Sequence, residues 1–221
     1  MHNTKLILRP THALKGAITV PGDKSLSHRA VMFGALADGV SEVRGWLPAG
    51  DTEASLASIR ALGIQIDRHD ATTLTVHGGK FIPPTAPLNL VNAGTGIRLL
   101  AGIMTGQPFP SVLDGSEQLR RRPMKRIMEP LRLMGANISA QNDRAPLHIS
   151  PAHLTGIEYA MPMASAQVKS AVILAGLFAK GTTTVIEPGP ALDHTELMLS
   201  AMGADFKIEY NRVSITQNGA R

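Results

Sequence analysis

LRLMGANI (131–138) reads as the last turn of a helix, then a glycine, then the start of a strand. IRALGIQI (59–66) and LSAMGADF (199–206) read the same way. A glycine just past a helix end takes the left-handed conformation that other residues resist, so Gly63, Gly135 and Gly203 mark three helix stops. They lie 72 and 68 residues apart, which points to one unit present three times.

Upstream of each stop the residues follow a shared plan. Met124, Ile127, Met128, Leu131 and Met134 step by three and four, forming an amphipathic stripe. Leu56, Ile59 and Leu62 repeat it more thinly, as do Leu197, Met198, Ala201 and Met202. Pro130 is expected to kink the middle helix or interrupt its hydrogen-bond ladder. Asp51–Thr52 and Asp193 stand where N-caps belong, and Asp51 and Glu53 read as cap and dipole partners.

Further upstream lie RAVMFGALA (29–37), IRLLAGIM (97–104) and VKSAVILAGLFA (168–179). They are apolar almost all round, which is the pattern of buried helices. Strand-like runs follow at VSEVRGWL, SVLD and TTTVIE, and again at TLTVH, PLHIS and VSIT. The unit is therefore loop, buried helix, strand, loop, amphipathic helix, strand, strand. Three such units predict an α/β domain with internal pseudo-threefold symmetry.

The composition narrows the chemistry. The 221 residues carry a formal net charge of +5, which suits anionic partners. Aromatics make up only 4%, too few for the stacking platforms of a single-strand binder. There are no cysteines, so thiolate catalysis and cysteine-based zinc sites are excluded, and the absence fits a cytosolic protein. The first residues, MHNTKLILRPTH, contain no apolar core of a signal peptide.

The loops before the buried helices are PGDKSLSHR, NAGTG and MPMASAQVK. Each opens a helix whose first N–H groups have no intrahelical partner and whose end carries about half a positive charge. Threefold symmetry would bring the three openings together as one site for a multiply anionic ligand. Lys24, Arg29, Arg98 and Lys169 add full charges near those loops, and Arg122 of RRRP could swing toward them. No pair of carboxylates reads as a general acid and base. Asp23 reads as loop-shaping and Asp193 as a cap.

PGDKSLSHRAV, NAGTGIRLLAG, RRRPMKRIMEPLRLMGA and MASAQVKSAVILAGL together resemble the enolpyruvyl transferases, most closely the 5-enolpyruvylshikimate-3-phosphate (EPSP) synthases. DHTE (193–196) resembles the bacterial branch. The resemblance implies one domain of an inside-out α/β barrel, built from three βαβαββ units around buried helices. It implies transfer of the enolpyruvyl group of phosphoenolpyruvate to the 5-hydroxyl of shikimate 3-phosphate, with no metal or organic cofactor.

Carried over residue by residue, the resemblance puts Lys24 between the two substrates as the catalytic contact to both. Ser25, Arg29, Ser165, Ala166 and Gln167 would hold shikimate 3-phosphate. Gly94, Arg122 and Gln167 would hold phosphoenolpyruvate, with the N–H of Gly94 as a donor, while Asn92 and Thr95 shape the loop. Leu192 stands where relatives often have arginine, and Ala166 where some have serine, so one phosphate contact is expected to be missing or replaced.

Family enzymes run to about twice this length. The chain is therefore expected to be an N-terminal half that binds shikimate 3-phosphate weakly and turns over little by itself. Its partner would be the C-terminal domain of the same enzyme. Residues 1–19 are expected to pair with that domain, and residues 20–221 to form three units, about 20–86, 87–158 and 159–221. Two alternatives stay open at this point. One is a relative of UDP-N-acetylglucosamine enolpyruvyl transferase; the other is an RNA-binding or RNA-end-processing module of related architecture.

Overall fold

The computed structural model describes Ile7, Arg9, Ala13 and residues 15–217. Most of the segment 1–19, expected to pair with a second domain, lies outside the described residues. The first unit holds α1 (Lys24–Leu36), β1 (Val40–Val43), α2 (Gly50–Ala61), β2 (Gln65–Arg68) and β3 (Leu74–His77). The second holds β4 (Leu88–Asn89), α3 (Gly94–Met104), β5 (Ser111–Asp114), the short α4 (Glu117–Arg120), α5 (Lys125–Leu133), β6 (Asn137–Ser139) and β7 (Leu147–Ser150). The third holds β8 (Glu158–Ala160), α6 (Ala166–Gly176), β9 (Thr182–Ile186), α7 (His194–Ala201), β10 (Phe206–Glu209) and β11 (Arg212–Thr216).

Each unit makes its own sheet, and the sheets share one strand order. The second runs β4-β5-β7-β6 and the third β8-β9-β11-β10, while among the described residues the first runs β1-β3-β2, the same order without a leading strand. The leading strands pair in parallel, and all other pairs are antiparallel. Register is equivalent too. Val76, Ile149 and Ile215 on the central strands face Ile66, Ile138 and Phe206 on one side. On the other side they face Ser41, Ser111 and Thr183.

The three stops are built alike. Gly63, Gly135 and Gly203 have φ of +88°, +93° and +92°. Each donates its N–H to a carbonyl three residues back, at Arg60, Arg132 and Ser200. The next N–H, of Ile64, Ala136 or Ala204, reaches the carbonyl of Ile59, Leu131 or Leu199. This paired closure satisfies carbonyls that the helix end leaves free.

The nearly all-apolar helices form the core. Ile97, Leu99, Leu100, Ile103 and Met104 of α3 and Ala171–Ala175 of α6 have no exposed surface. The two helices cross where Gly102 meets Ala171; a β-carbon at Gly102 would lie 2.3 Å from the Ala171 carbonyl oxygen. Among the described residues no helix is long and apolar enough to cross a membrane.

Several expectations change in detail. The buried helices begin three to five residues earlier than their apolar runs in α1 and α3, and two earlier in α6. The N-cap of α2 is Ala49, not Asp51, and its N–H donates to the Thr52 hydroxyl at 3.0 Å. Asp193 occupies the N-cap of α7 without a side-chain cap bond. Pro130 lies inside α5 and has no N–H to donate, yet the helix continues to Leu133. Most of the stripe expected to bury α7 faces outward, with Leu197 57% and Met202 42% exposed, while Met198 packs against the core. Its inner face is Thr195, Glu196 and Leu199, because Glu196 meets a buried cation there.

Candidate functional site

The starts of α1, α3 and α6 are joined side by side. The Gln167 side chain at the start of α6 donates to the Thr95 hydroxyl at the start of α3, at 2.9 Å. Ser55 of α2 bridges the other flank: its hydroxyl lies 2.7 Å from Nδ1 of His28 in α1 and against Gly96 in α3. From α1, Arg29 reaches the Ser170 hydroxyl of α6 at 2.9 Å. Three helix N-termini thus open at one end of the domain, where unpaired N–H groups and helix dipoles favour an anion.

Each opening is shaped locally. Asp23 caps α1, its side chain accepting from the N–H of Leu26 at 2.7 Å. Lys24 follows with a half-exposed side chain, and its Nζ lies 3.1 Å from Asp51 Oδ2. Asp51 is therefore the resting partner of Lys24 as well as a first-turn dipole partner of α2. Ser165 caps α6 by accepting from the N–H of Val168 at 3.4 Å. Ala166 and Gln167 come next, both partly exposed. Asn92 ties the α3 loop to Ser116, the N-cap of α4.

The α3 opening carries free positive charge. A β-carbon at Gly94 would lie 2.4 Å from an Arg122 guanidinium nitrogen and 3.1 Å from one of Arg98, so both guanidiniums stand over this glycine. Arg98 donates to the Gly94 and Pro123 carbonyls. Burial lowers its pKa, and Arg122 and Arg126 push the same way. Among the described residues neither Arg98 nor Arg122 has a carboxylate partner. The other two arginines of the RRR run do: Arg120 pairs with Asp114 and Arg121 with Glu117. An uncompensated arginine pair against a backbone with no side chain suits a carboxylate or phosphate group.

Two charges differ from their sequence reading. Lys169 does not face the openings; it is 1% exposed, with Nζ 2.6 Å from both Glu187 and Glu196. Burial depresses its pKa, but the two carboxylates outweigh this and raise it above the ordinary value. Arg29 is 2% exposed and gives hydrogen bonds to Thr195, Ser170 and the Ser25 carbonyl. It lies directly beneath the α1 opening. The N–H of Gly94, expected to face ligand, here donates to the Asn92 carbonyl at 2.8 Å.

A cavity of about 550 Å³ lies beside the α6 opening, lined by Ala164, Ala166, Pro190, Ala191, Leu192 and Asp193. Leu192 on this wall is 60% exposed, and none of the lining residues is a cation. A larger cavity of about 650 Å³ includes Gly106, His153, Phe178 and Lys180, at the C-terminal ends of α3 and α6. Helix C-termini carry partial negative charge, so that end suits an anion less well.

A family model described as EPSP synthase (3-phosphoshikimate 1-carboxyvinyltransferase) matches residues 8–220. The chain belongs to the EPSP synthase family. A 3-phosphoshikimate 1-carboxyvinyltransferase of Acidithiobacillus ferrooxidans is 53% identical over 203 residues, covering 90% of this chain and 47% of the relative. One from Methylococcus capsulatus is 48% identical, covering 99% of this chain and 52% of the relative. An EPSP synthase structure from Acinetobacter baumannii superposes with a TM-score of 0.89 at 46% identity, covering 92% of this chain and 47% of that one. The chain thus spans about half the length of the family members it matches.

Sequence reasoning missed two parts of this end of the EPSP synthase domain. One is the pairing of Asp51 with Lys24 across 27 residues. The other is the buried group of Lys169, Glu187, Glu196, Arg29, Thr195 and Ser170. A signal existed for the second: Lys169 interrupts an otherwise apolar helix, and a buried lysine calls for a carboxylate.

Proposed function

We propose that this chain forms the shikimate 3-phosphate-binding half of an enzyme that joins the enolpyruvyl group of phosphoenolpyruvate to the 5-oxygen of shikimate 3-phosphate. In that reaction the 5-oxygen bonds to C2 of phosphoenolpyruvate while its proton is removed and a proton reaches C3. Loss of phosphate and of a C3 proton then restores the vinyl group. Residues 20–221 serve as three units, about 20–86, 87–158 and 159–221, and residues 1–19 pair with a second domain.

Ser25, Arg29, Ser165, Ala166 and Gln167 hold shikimate 3-phosphate in this reading. Gly94 and Arg122, with Gln167, hold phosphoenolpyruvate. Lys24 leaves Asp51 to touch both. Asn92 and Thr95 keep the α3 loop in shape. The acid and base come from the second domain, since Asp23 is engaged as a cap and Glu53 by Arg68, while Asp51 sits in the first turn of α2 as a dipole partner.

The observation that supports this reading best is the uncompensated Arg98–Arg122 pair over Gly94, at the end where three helices start. Both substrates carry a phosphate and a carboxylate, and arginine forks with helix N-termini neutralise such groups in defined geometry. The test is a titration of this chain with shikimate 3-phosphate, followed by amide shifts. Saturable shifts at Lys24, Ser25, Ser165 and Gln167 are expected. No shift at those amides at millimolar ligand would remove the binding assignment.

A further inference from the structure

Lys169 sits one turn into α6, its N–H donating to the carbonyl of the cap residue Ser165 at 3.0 Å. Its ammonium holds two carboxylates that are far from equivalent in the chain. Glu187 directly follows β9, and Glu196 lies in the first turn of α7. Between them runs the loop that supplies Pro190, Ala191, Leu192 and Asp193 to the 550 Å³ cavity. Among the described residues no backbone hydrogen bond holds Pro188–Leu192. One buried cation therefore meets a carboxylate at each end of this wall, beside the two hydrogen bonds that Glu187 makes with Asn211.

A second set of contacts carries the same connection to the openings. Thr195 accepts from Arg29 Nε at 2.8 Å and lies 2.7 Å from the Ser170 hydroxyl. Ser170 in turn donates to the Ala166 carbonyl at 2.6 Å, and Arg29 donates to the Ser25 carbonyl at 3.1 Å. The network thus ends on the backbones of two residues assigned above to ligand. Lys169, Glu196, Thr195 and Ser170 are all at most 1% exposed. Buried ion groups of this kind are a poor source of net stability, since desolvation offsets much of the attraction. Their directional effect is the larger one: Lys169 is the ion-pair partner of both carboxylates, and Glu196 also acts on the neighbouring Arg29.

We propose that Lys169 is a positioning residue that clasps both ends of the 187–196 loop to α6 and so sets the wall beside the bound phosphate ester. The clasp deepens the shikimate 3-phosphate reading and rests on it for its ligand, though not for its effect on the loop.

The test compares this chain with the triple variant Lys169→Met, Glu187→Met, Glu196→Met, and with Lys169→Arg. Apolar replacement of a whole buried ion group commonly keeps stability, so the triple variant separates positioning from folding. Two readouts are taken: amide exchange at Met161 and Leu197, whose N–H groups bond the Ile186 and Asp193 carbonyls at the two ends of the loop, and the shikimate 3-phosphate dissociation constant by calorimetry. In the triple variant exchange is expected to rise about tenfold or more, and affinity to fall about tenfold. Lys169→Arg is expected to stay near the parent in both. Parent-like exchange or parent-like affinity in a folded triple variant overturns the clasp. If the triple variant does not fold, Glu187→Gln is used, which releases only the loop's start; parent-like exchange at Met161, bonded to the Ile186 carbonyl, then overturns it. If the parent itself fails to bind shikimate 3-phosphate, the ligand reading falls, and the exchange comparison alone decides the clasp.

Discussion

Acid should destabilise this domain through one histidine. His28 lies in the second turn of α1 with no exposed surface, its Nδ1 bonded to Ser55 and its Nε2 without a hydrogen-bond partner. Burial pushes the imidazole from 6.5 down to about 4; Asp51 opposes this, while Lys24 and Arg29 reinforce it. The unfolded chain takes up this proton near pH 6.5, and the native state only near pH 4. Stability is thus fully present above pH 6.5 and falls as pH drops through that window. At roughly 1.4 kcal/mol per pH unit, the complete displacement is worth about 3.5 kcal/mol, and about 2.5 kcal/mol is lost by pH 4.5. That is a large share of the roughly 5–15 kcal/mol that holds a domain together.

The assay is urea unfolding at pH 7.5 and pH 4.5 for the parent and for His28→Asn. Asparagine keeps a polar group beside Ser55 and cannot titrate in this range. Contributions from carboxylates appear in both proteins and cancel in the comparison. The loss on acidification should be smaller in the variant by about 2.5 kcal/mol. An identical loss in both proteins refutes the reasoning, because it would mean that the buried imidazole titrates alike in the folded and unfolded chain.

Three further expectations follow from the contacts. Gly94→Ala puts a methyl group against the Arg122 guanidinium; it should weaken phosphoenolpyruvate about tenfold and shikimate 3-phosphate far less, by calorimetry. Equal losses for the two ligands would take Gly94 off the phosphoenolpyruvate side. Gly102→Ala drives a methyl into the α6 backbone and should cost about 1–3 kcal/mol in urea unfolding, whereas Gly50→Ala, with open space around it, should cost nothing measurable. Asp51→Asn removes a partly buried partner of the half-exposed Lys24 and should change stability by less than about 1 kcal/mol; a larger loss would show that the pair holds α1 to α2.

Local chemistry wrote much of the fold into the sequence. Gly63, Gly135 and Gly203 announce their helix ends because a left-handed cap needs glycine wherever the chain goes next. The apolar runs of α1, α3 and α6 announce burial because no polar face is left for water. The openings before them were legible for the same reason, as short, small-residue, polar loops before apolar helices. What stayed hidden depends on partners far apart in the chain. Leu197 and Met202 look like the buried stripe of α7, yet Glu196 takes the inner face because Lys169 waits there. Lys169 and Arg122 read alike as cations near an anion site. Only packing separates them, burying Lys169 between two carboxylates and leaving Arg122 over Gly94 with none. Periodicity and capping act over a few residues and survive in one dimension; the pairing of charges is decided by which helices meet, and that is a property of three.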